Sequence, residues 1–377
     1  MKPLINPFLT IGYQGPDYFC DREEETILLT NLLQGGLHVS LFAIRRLGKT
    51  GLIHHVFNSF TENDKLICIY LDILSTKNLM DFINACANAI NKKFPEKKSL
   101  GNKINTLFKS FKPTITFDEF TGVPSISLSI ETRLQQEKTI EQIFNFLDNQ
   151  GVKVIFAIDE FQQILEYPET NTEAILRTFI QQLKNTTFIF SGSNQKMMHE
   201  IFNSAKRPFF ASTSPMNLGY IDELKYKEFI IKMFNKYNRK IDEDCISFVL
   251  KFTNLHTFYV QYFCFTLFAK NKKHTTLQDA YITAKEILKL NEGTYYQYKN
   301  LLTKAQWNLL RAFAIEGKVT MPTSKHFITK HQLGTPSMVT RGMEALLEKE
   351  MILHQLSAPE PYYEVYDKFL KQWLVNF

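Results

Sequence analysis

The feature that most constrains this chain is a Gly-Lys-Thr sequence at the junction of a strand and a helix. Residues 38–44 alternate and then run apolar, as a buried strand does, and a helix is predicted to start near Lys49. The junction reads Ala43-Ile44-Arg45-Arg46-Leu47-Gly48-Lys49-Thr50. In such a junction the backbone N–H groups at the helix N-terminus face phosphates, and the glycine allows close approach. The sequence therefore predicts a phosphate-binding loop.

The side chains of this loop predict ATP and Mg²⁺ as ligands. Lys49 is expected to neutralise the β- and γ-phosphates, and the Thr50 hydroxyl is expected to ligate Mg²⁺. The residues expected to surround the phosphates are Arg45, Arg46, Leu47, Gly48, Lys49, Thr50 and Gly51. Ala43 stands where the motif has its first glycine, so we expect a slightly distorted but usable loop. The alternative is a Gly-Lys-Thr that starts a helix by chance.

A pair of carboxylates follows the third predicted strand, after those over residues 38–44 and 65–74. Residues 154–158 are apolar, and Asp159 and Glu160 come directly after them. In a phosphate-loop ATPase the first acid holds Mg²⁺, usually through water, and the second can act as general base towards the attacking water. Lys49, Asp159 and Glu160 are therefore the expected catalytic residues, with Thr50 and Asp159 at the metal. The alternative is an exposed pair of acids at a strand end.

A fourth strand, predicted over residues 186–193, ends in polar residues. Ser193 and Asn194 lie where a side chain can reach the γ-phosphate or the attacking water, as a sensor. Serine and asparagine are also common turn formers, so the sequence leaves both roles open.

The order of elements predicts an α/β core followed by two smaller regions. Strands alternate with helices up to about Leu218, which predicts a parallel sheet with helices on both faces. Within it, residues 97–131 are predicted to be an insertion with a β-hairpin around Thr121-Gly122. We therefore predict a core over 1–220, a helical lid over 221–300 and a winged-helix domain over 301–377.

Composition excludes some classes of partner and site. The 44 basic residues exceed the 38 acidic ones by a net charge of +6, which permits a polyanion as partner but does not demand one. The five cysteines form no CxxC pair and no zinc spacing, which favours free thiols in a reducing compartment. We expect no signal peptide, because the first residues contain no long apolar run, and no stretch approaches the roughly 20 apolar residues of a membrane span. We therefore expect a cytoplasmic protein without a membrane partner.

Several motifs together resemble those of the archaeal-type ATPases of the AAA+/STAND group, which also occur in bacteria. They are Arg45 to Thr50, Ile158-Asp159-Glu160-Phe161, Ser191-Gly192-Ser193, Tyr259-Val260-Gln261, Val365-Tyr366-Asp367-Lys368-Phe369, and Tyr18-Phe19-Cys20-Asp21-Arg22-Glu23 near the N-terminus. The resemblance implies an ATPase core, a helical lid and a C-terminal winged helix. It also implies that adenine lies near Tyr18, Phe19 and Arg22, although from the residues alone Tyr18 and Phe19 are ordinary packing aromatics.

The chain departs from the family pattern at three positions. Ala43 replaces the first glycine of the phosphate loop. Ser212 stands where the family commonly has an arginine, with Arg207 nearby but out of register. Thr257 follows His256 where the lid motif usually has proline. These departures favour ATP binding with slow or partner-dependent hydrolysis.

The helix predicted over 337–349 would be the DNA-reading helix of the winged helix. Its only basic residues are Arg341 and Lys349, against Glu344, Glu348 and the following Glu350. We therefore expect weak DNA binding at most, with packing or protein contact as the alternative role. Three hypotheses remain: a slow ATPase acting as a nucleotide-controlled switch, an ATP-bound DNA-binding regulator, and a protein-interaction switch in stress response or defence. The partner protein and the oligomeric state are not assigned.

Overall fold

The structure is a computed structural model that describes residues 6–60, 66–94, 113–117, 124–128, 130, 132–356 and 359–376. The chain divides into two compact units. One is Tyr13–Gly219, and the other is Tyr220–Phe377 together with the N-terminal residues up to Gly12.

The unit Tyr13–Gly219 is built on a parallel sheet. Its strands are β1 (Val39–Ala43), β2 (Leu66–Asp72), β3 (Pro113–Phe117), β4 (Pro124–Leu128), β5 (Lys153–Asp159), β6 (Thr186–Gly192) and β7 (Ser214–Leu218). Five of them form the central sheet in the order β2-β5-β6-β1-β7, and every neighbouring pair in it is parallel. The predicted parallel sheet is confirmed.

Helices cover both faces of this sheet. They are α1 (Glu23–Gln34), α2 (Lys49–Ser59), α3 (Leu79–Lys93), α4 (Arg133–Asp148), α5 (Thr172–Ile180) and α6 (Gln195–Asn203). The side chains of β5 alternate between the two faces of the sheet. Ile155 and Ala157 pack in the core under α1 and α2. Val154, Phe156 and Ile158 pack in the opposite core, under α3 to α6. Each fully buried side chain of this size stabilises the fold by about 1.5–3 kcal/mol.

One strand of the sheet was not predicted. Strand β7 lies at the edge beside β1, where Pro215 pairs with Ser40. Proline lacks the N–H that a central strand needs, and an edge position tolerates that loss. The Ser214–Leu218 segment is only five residues long and contains a proline, and its two apolar residues, Met216 and Leu218, are too few to predict a strand.

The strands β3 and β4 pair antiparallel, separately from the main sheet. The backbone N–H of Leu128, at the end of β4, donates to Asn84 Oδ1 of α3 at 2.9 Å. The turn predicted at Thr121-Gly122, and residues 97–112 of the predicted insertion, lie outside the described residues.

The unit Tyr220–Phe377 is mainly helical. Its helices are α7 (Glu223–Lys236), α8 (Glu243–Phe252), α9 (Thr257–Ala269), α10 (Leu277–Leu301), α11 (Lys304–Glu316), α12 (Lys325–His331), α13 (Pro336–Glu348) and α14 (Lys368–Asn376). Its strands are β8 (Lys240–Ile241), β9 (His274–Thr275), β10 (Ile352–Gln355) and β11 (Tyr362–Val365). Three helices followed by the antiparallel pair β10–β11 give the predicted winged helix. The Thr335 hydroxyl caps α13 by accepting from the Met338 N–H at 3.3 Å.

A buried ion pair holds the end of the winged helix together. Lys368 Nζ lies 2.7 Å from Glu364 Oε2, and the two residues are 0% and 1% exposed. The Tyr220 hydroxyl donates to the other oxygen of Glu364 at 3.0 Å. Burial lowers the pKa of Lys368, and the Glu364 charge opposes that shift. Trp373 of α14 packs nearby against Tyr295 of α10, with ring centroids 5.4 Å apart.

Across the residues that the structure describes, no helix is both long enough and apolar enough to cross a membrane. The cysteines Cys20, Cys68, Cys86, Cys245 and Cys264 are all free thiols.

Candidate functional site

The predicted phosphate loop connects β1 to α2. Ala43 is the last residue of β1 and pairs with Leu218 of β7. Alanine adopts strand backbone without strain, so the missing first glycine has no conformational cost at this position. Gly48 caps α2 at a φ of 100°, a conformation that favours glycine strongly. Arg46 also has a positive φ, 64°, and it lies with Arg45 on the exposed turn.

Lys49 and the acidic pair meet at the carboxyl edge of the sheet. Lys49 Nζ lies 2.7 Å from Asp159 Oδ1 and 3.4 Å from Glu160 Oε1. The Thr50 hydroxyl donates to Asp159 Oδ2 at 2.7 Å. Lys49 is 7% exposed and Asp159 is 2% exposed. The structure thus brings together the residues that the sequence placed at the phosphates and the metal.

Asp159 accepts further hydrogen bonds on both of its oxygens. The Ser191 hydroxyl donates to Oδ1 at 2.5 Å, and the Tyr70 hydroxyl donates to Oδ2 at 2.8 Å. Burial alone would raise the pKa of Asp159, but the Lys49 charge and the hydrogen bonds outweigh it and hold that pKa well below its usual range. Asp159 is therefore a carboxylate at every physiological pH. Burial, followed by the Asp159 charge, raises the pKa of Tyr70.

Glu160 is restrained by its own set of donors. Its Oε2 accepts from the Ser193 hydroxyl at 2.7 Å, from the Ser193 N–H at 3.2 Å and from Gln162 Nε2 at 2.6 Å. Its backbone is left-handed, with a φ of 56°. The predicted sensor Ser193 therefore contacts the predicted base. The Gln162 Oε1 atom is buried and has no hydrogen-bond partner among the described residues.

Gly192 separates the two serines that contact the carboxylates. A Cβ built on Gly192 would lie 2.3 Å from Gln162 Oε1 and 2.5 Å from Met198 Sδ. A side chain at this position would therefore displace the ends of the Gln162 and Met198 side chains.

Two further positions named from the sequence have structural partners. Asn194 is exposed and caps α6, its Oδ1 accepting from the Met197 N–H at 3.1 Å. Ser212, where the family commonly has arginine, donates from its hydroxyl to the Phe209 carbonyl at 2.7 Å. The nearby Arg207 is ion-paired with Glu173 at 2.5 Å. Thr257, at the third departure, is the first residue of α9.

The N-terminal motif lies beside the phosphate loop. Phe19 stacks on His55 of α2 with ring centroids 4.2 Å apart, and its ring would lie 3.4 Å from a Cβ on Gly51. Arg22 is 3% exposed and donates to the Leu47 carbonyl at 3.3 Å and to the Gly219 carbonyl at 2.8 Å. Tyr18 is 8% exposed. Contact of Tyr18, Phe19 and Arg22 with adenine stays a prediction.

The donor set suits a cation that is shared with phosphates. The Thr50 hydroxyl and the Asp159 carboxylate are hard oxygen donors, the type that Mg²⁺ prefers. In the described part of the chain, no group of three or more His, Cys, Asp and Glu side chains could hold a metal ion. A cation at Thr50 and Asp159 would therefore complete its coordination with ligands from outside the protein, such as phosphate oxygens and water.

Sequence reasoning missed Tyr70, Gln162 and the role of Ser191. Ser191 in β6 and Ser193, the first residue after it, are two positions apart and both contact the carboxylates, so this spacing was a usable signal. Gln162 follows Glu160 by two residues but gave no signal of its own. Tyr70 lies on β2, and its contact with Asp159 depends on the β2–β5 pairing, which the sequence does not reveal.

Comparisons with known proteins agree with this geometry. A family model described as an ATPase domain predominantly from Archaea matches residues 19–255, and one described as a probable winged helix domain matches residues 293–376. An uncharacterised ATP-binding protein of Methanocaldococcus jannaschii is 28% identical over 158 residues, which are 39% of this chain. The match spans 43% of that relative's length.

Solved structures share the fold over the whole chain. The Walker-type ATPase of Pyrococcus abyssi has a TM-score of 0.66 at 17% identity, covering 98% of this chain and 99% of its own. The Aeropyrum pernix ORC2 protein, in its ADPNP and ADP complexes, has a TM-score of 0.56 at 11% identity, covering 100% and 95%. The Aeropyrum pernix ORC1 protein in complex with DNA has a TM-score of 0.51 at 11% identity, covering 99% and 96%. With the family match over the core, these results show that the chain belongs to the ATP-binding ATPases of archaeal type and carries a C-terminal winged-helix domain.

Proposed function

We propose that this protein hydrolyses ATP slowly, and that its nucleotide state controls the binding of a partner. The single observation that carries the proposal is the restraint on Glu160. Its carboxylate accepts from Ser193 and Gln162 on one oxygen and lies 3.4 Å from Lys49 on the other. A carboxylate held by several donors is a weaker acceptor for a proton from water. We therefore expect hydrolysis to stay slow until Ser193 and Gln162 release Glu160.

The roles of the surrounding residues follow from their chemistry. Lys49 would turn from Asp159 to the β- and γ-phosphates, since it is the buried point charge of the loop. Thr50 and Asp159 would hold Mg²⁺, which supplies positive charge to the phosphate oxygens. Glu160 would orient and deprotonate the attacking water once Ser193 and Gln162 release it.

A partner is the proposed source of that release. The position where the family commonly has an arginine is occupied by Ser212, and Arg207 is held by Glu173. An arginine that stabilises the transition-state charge is worth about 10³–10⁵ in turnover in other phosphoryl-transfer systems. A binding partner that supplies a cation, or that moves Glu160, would raise a low basal rate.

The test is the substitution Glu160→Gln. It retains the shape of the side chain and removes its charge, so ATP binding is expected to persist while phosphate release falls about a hundredfold or more. Calorimetry measures the binding, and a phosphate-release assay measures the turnover. Glu166→Gln is the matched control, because Glu166 is an exposed acid at the end of the short 3-10 helix Phe161–Glu166, which directly follows Glu160. Phosphate release at the wild-type rate by Glu160→Gln would show that Glu160 is not the base.

A DNA-binding regulator is the second candidate, because the fold includes a winged helix and the similar ORC1 structure is a complex with DNA. The charges argue for weak binding. Lys330 and His331 are both paired with Glu316, each at 2.7 Å. On α13 the exposed Arg341 is accompanied by Glu344 and Glu348.

We expect duplex binding at about micromolar affinity or weaker near physiological salt. Fluorescence anisotropy of the full chain with random-sequence and genomic duplexes, with and without ATP, measures this. Nanomolar affinity for a defined sequence would instead favour the regulator.

A further inference from the structure

We infer that Tyr70 is a positioning residue for the magnesium-binding carboxylate, and that its hydroxyl keeps Asp159 in its metal-binding orientation when Lys49 turns to the phosphates. The inference rests on the proposed function, because it assigns a role within the proposed metal site. It concerns a residue that neither the phosphate loop nor the acidic motif contains.

Several donors share the two carboxylate oxygens of Asp159. Oδ1 accepts from Lys49 at 2.7 Å, from Ser191 at 2.5 Å and from the Glu160 N–H at 3.0 Å. Oδ2 accepts from the hydroxyls of Thr50 at 2.7 Å and Tyr70 at 2.8 Å. Lys49 and Thr50 are also the residues that ATP and Mg²⁺ would engage. Ser191 and Tyr70 are expected to keep their hydroxyls on Asp159, one on each oxygen, although the Tyr70 hydroxyl also interacts with the Thr50 side chain.

The donors to Asp159 differ in charge. Lys49 orients Asp159 but also neutralises it, and a neutralised carboxylate attracts a divalent cation less strongly. A hydroxyl is uncharged, so it fixes the orientation of the carboxylate and leaves its negative charge available to the metal. Groups that hydrogen-bond to metal-binding residues typically contribute about ten- to hundredfold to metal affinity.

Tyr70 is itself held in place by the sheet and by α2. Strand β2 pairs with β5 from Leu66↔Lys153 to Asp72↔Asp159, and Tyr70 lies opposite Ala157. Because side chains alternate along a strand, Tyr70 and Asp159 point to the same face of the sheet. The His54 ring of α2 packs on the Tyr70 ring with centroids 4.6 Å apart. The hydroxyl is therefore aimed by the sheet and by α2, independently of Lys49.

The experiment separates metal binding from nucleotide binding. Tyr70→Phe removes the hydroxyl and keeps the ring, and the binding of a fluorescent ATP analogue is measured first in EDTA and then during a titration with MgCl₂. We expect unchanged affinity in EDTA and a Mg²⁺ concentration at half-saturation that is raised about ten- to hundredfold. Tyr167→Phe is the matched control, because its buried hydroxyl is bonded to the Thr76 hydroxyl at 2.5 Å and not to Asp159. We expect wild-type behaviour from it in both conditions.

Two outcomes for Tyr70→Phe overturn the inference. One is a Mg²⁺ half-saturation equal to that of the wild type. The other is an equal loss of affinity in EDTA and in Mg²⁺, which would identify Tyr70 as a merely structural residue; thermal unfolding of the variant accompanies that comparison. A wild-type protein whose nucleotide binding does not respond to Mg²⁺ would refute the proposed metal site itself, and the wild-type titration alone reveals that failure.

Discussion

The restraint on Glu160 predicts a variant that hydrolyses ATP faster than the wild type. Gln162→Met keeps the length of the side chain but removes the N–H that donates to Glu160 Oε2 at 2.6 Å. A hydrogen bond to a charged group contributes about 1.5–3 kcal/mol, and about 1.4 kcal/mol corresponds to a tenfold change in rate. Because Ser193 still holds the same oxygen, we expect the lower end of this range, an increase in kcat of about tenfold.

The same substitution should cost little stability. Gln162 is 7% exposed, and its Oε1 has no hydrogen-bond partner among the described residues, so methionine removes a desolvated oxygen along with the hydrogen bond. Losing the hydrogen bond destabilises the fold, whereas losing the unpaired buried oxygen stabilises it. We therefore expect the free energy of unfolding to change by less than about 1 kcal/mol. Faster turnover would then not arise from a loosened fold.

The assay is phosphate release at saturating ATP, with thermal unfolding of each variant measured beside it. Gln163→Met is the matched control, since the neighbouring Gln163 donates to the Thr76 carbonyl at 3.1 Å and does not contact Glu160. The double variant Gln162→Met/Glu160→Gln should be inactive, because the acceleration acts through Glu160. A folded Gln162→Met protein with unchanged or reduced turnover would refute the reasoning.

Two further predictions test the phosphate loop and the winged helix. Lys49→Ala should weaken ATP binding about ten- to hundredfold, because it removes the buried cation of the loop; calorimetry showing wild-type affinity would contradict the assignment of the loop. Lys368→Met should destabilise the unit Tyr220–Phe377 by about 3–5 kcal/mol, since it leaves Glu364 buried without its cation. Both tryptophans of the chain, Trp307 and Trp373, lie in that unit, so urea unfolding followed by tryptophan fluorescence reports on it directly. The double variant Lys368→Met/Glu364→Gln should recover much of the loss, and a single variant as stable as the wild type would count against a structural role for the pair.

The parallel sheet and the residues at its carboxyl edge were predictable from the sequence because they depend on local patterns. Apolar runs such as 154–158 indicate buried strands, and Lys49, Asp159 and Glu160 each lie directly beside one. Strand β7 was missed because Pro215 and the short length of the strand leave no such pattern.

The contacts within the site were less predictable because they depend on which strands are neighbours. Tyr70 reaches Asp159 only because β2 pairs with β5, and Ser191 does so only because β6 lies between β5 and β1. The position of Arg22 could not be read from its motif either. Its side chain is buried against the Leu47 and Gly219 carbonyls, and these residues are distant from it along the chain.

A substitution at Gly192 would affect both the stability of the fold and the rate of ATP hydrolysis. Even a methyl group at this position would collide with Gln162 and Met198, so a mutation here would displace both of these side chains. Displacing Met198 disturbs the packing of α6, while displacing Gln162 removes a donor from Glu160. A lineage that changed this glycine would therefore alter both the thermal stability of the protein and the time for which bound ATP survives before hydrolysis. Selection on one of these properties would then also change the other.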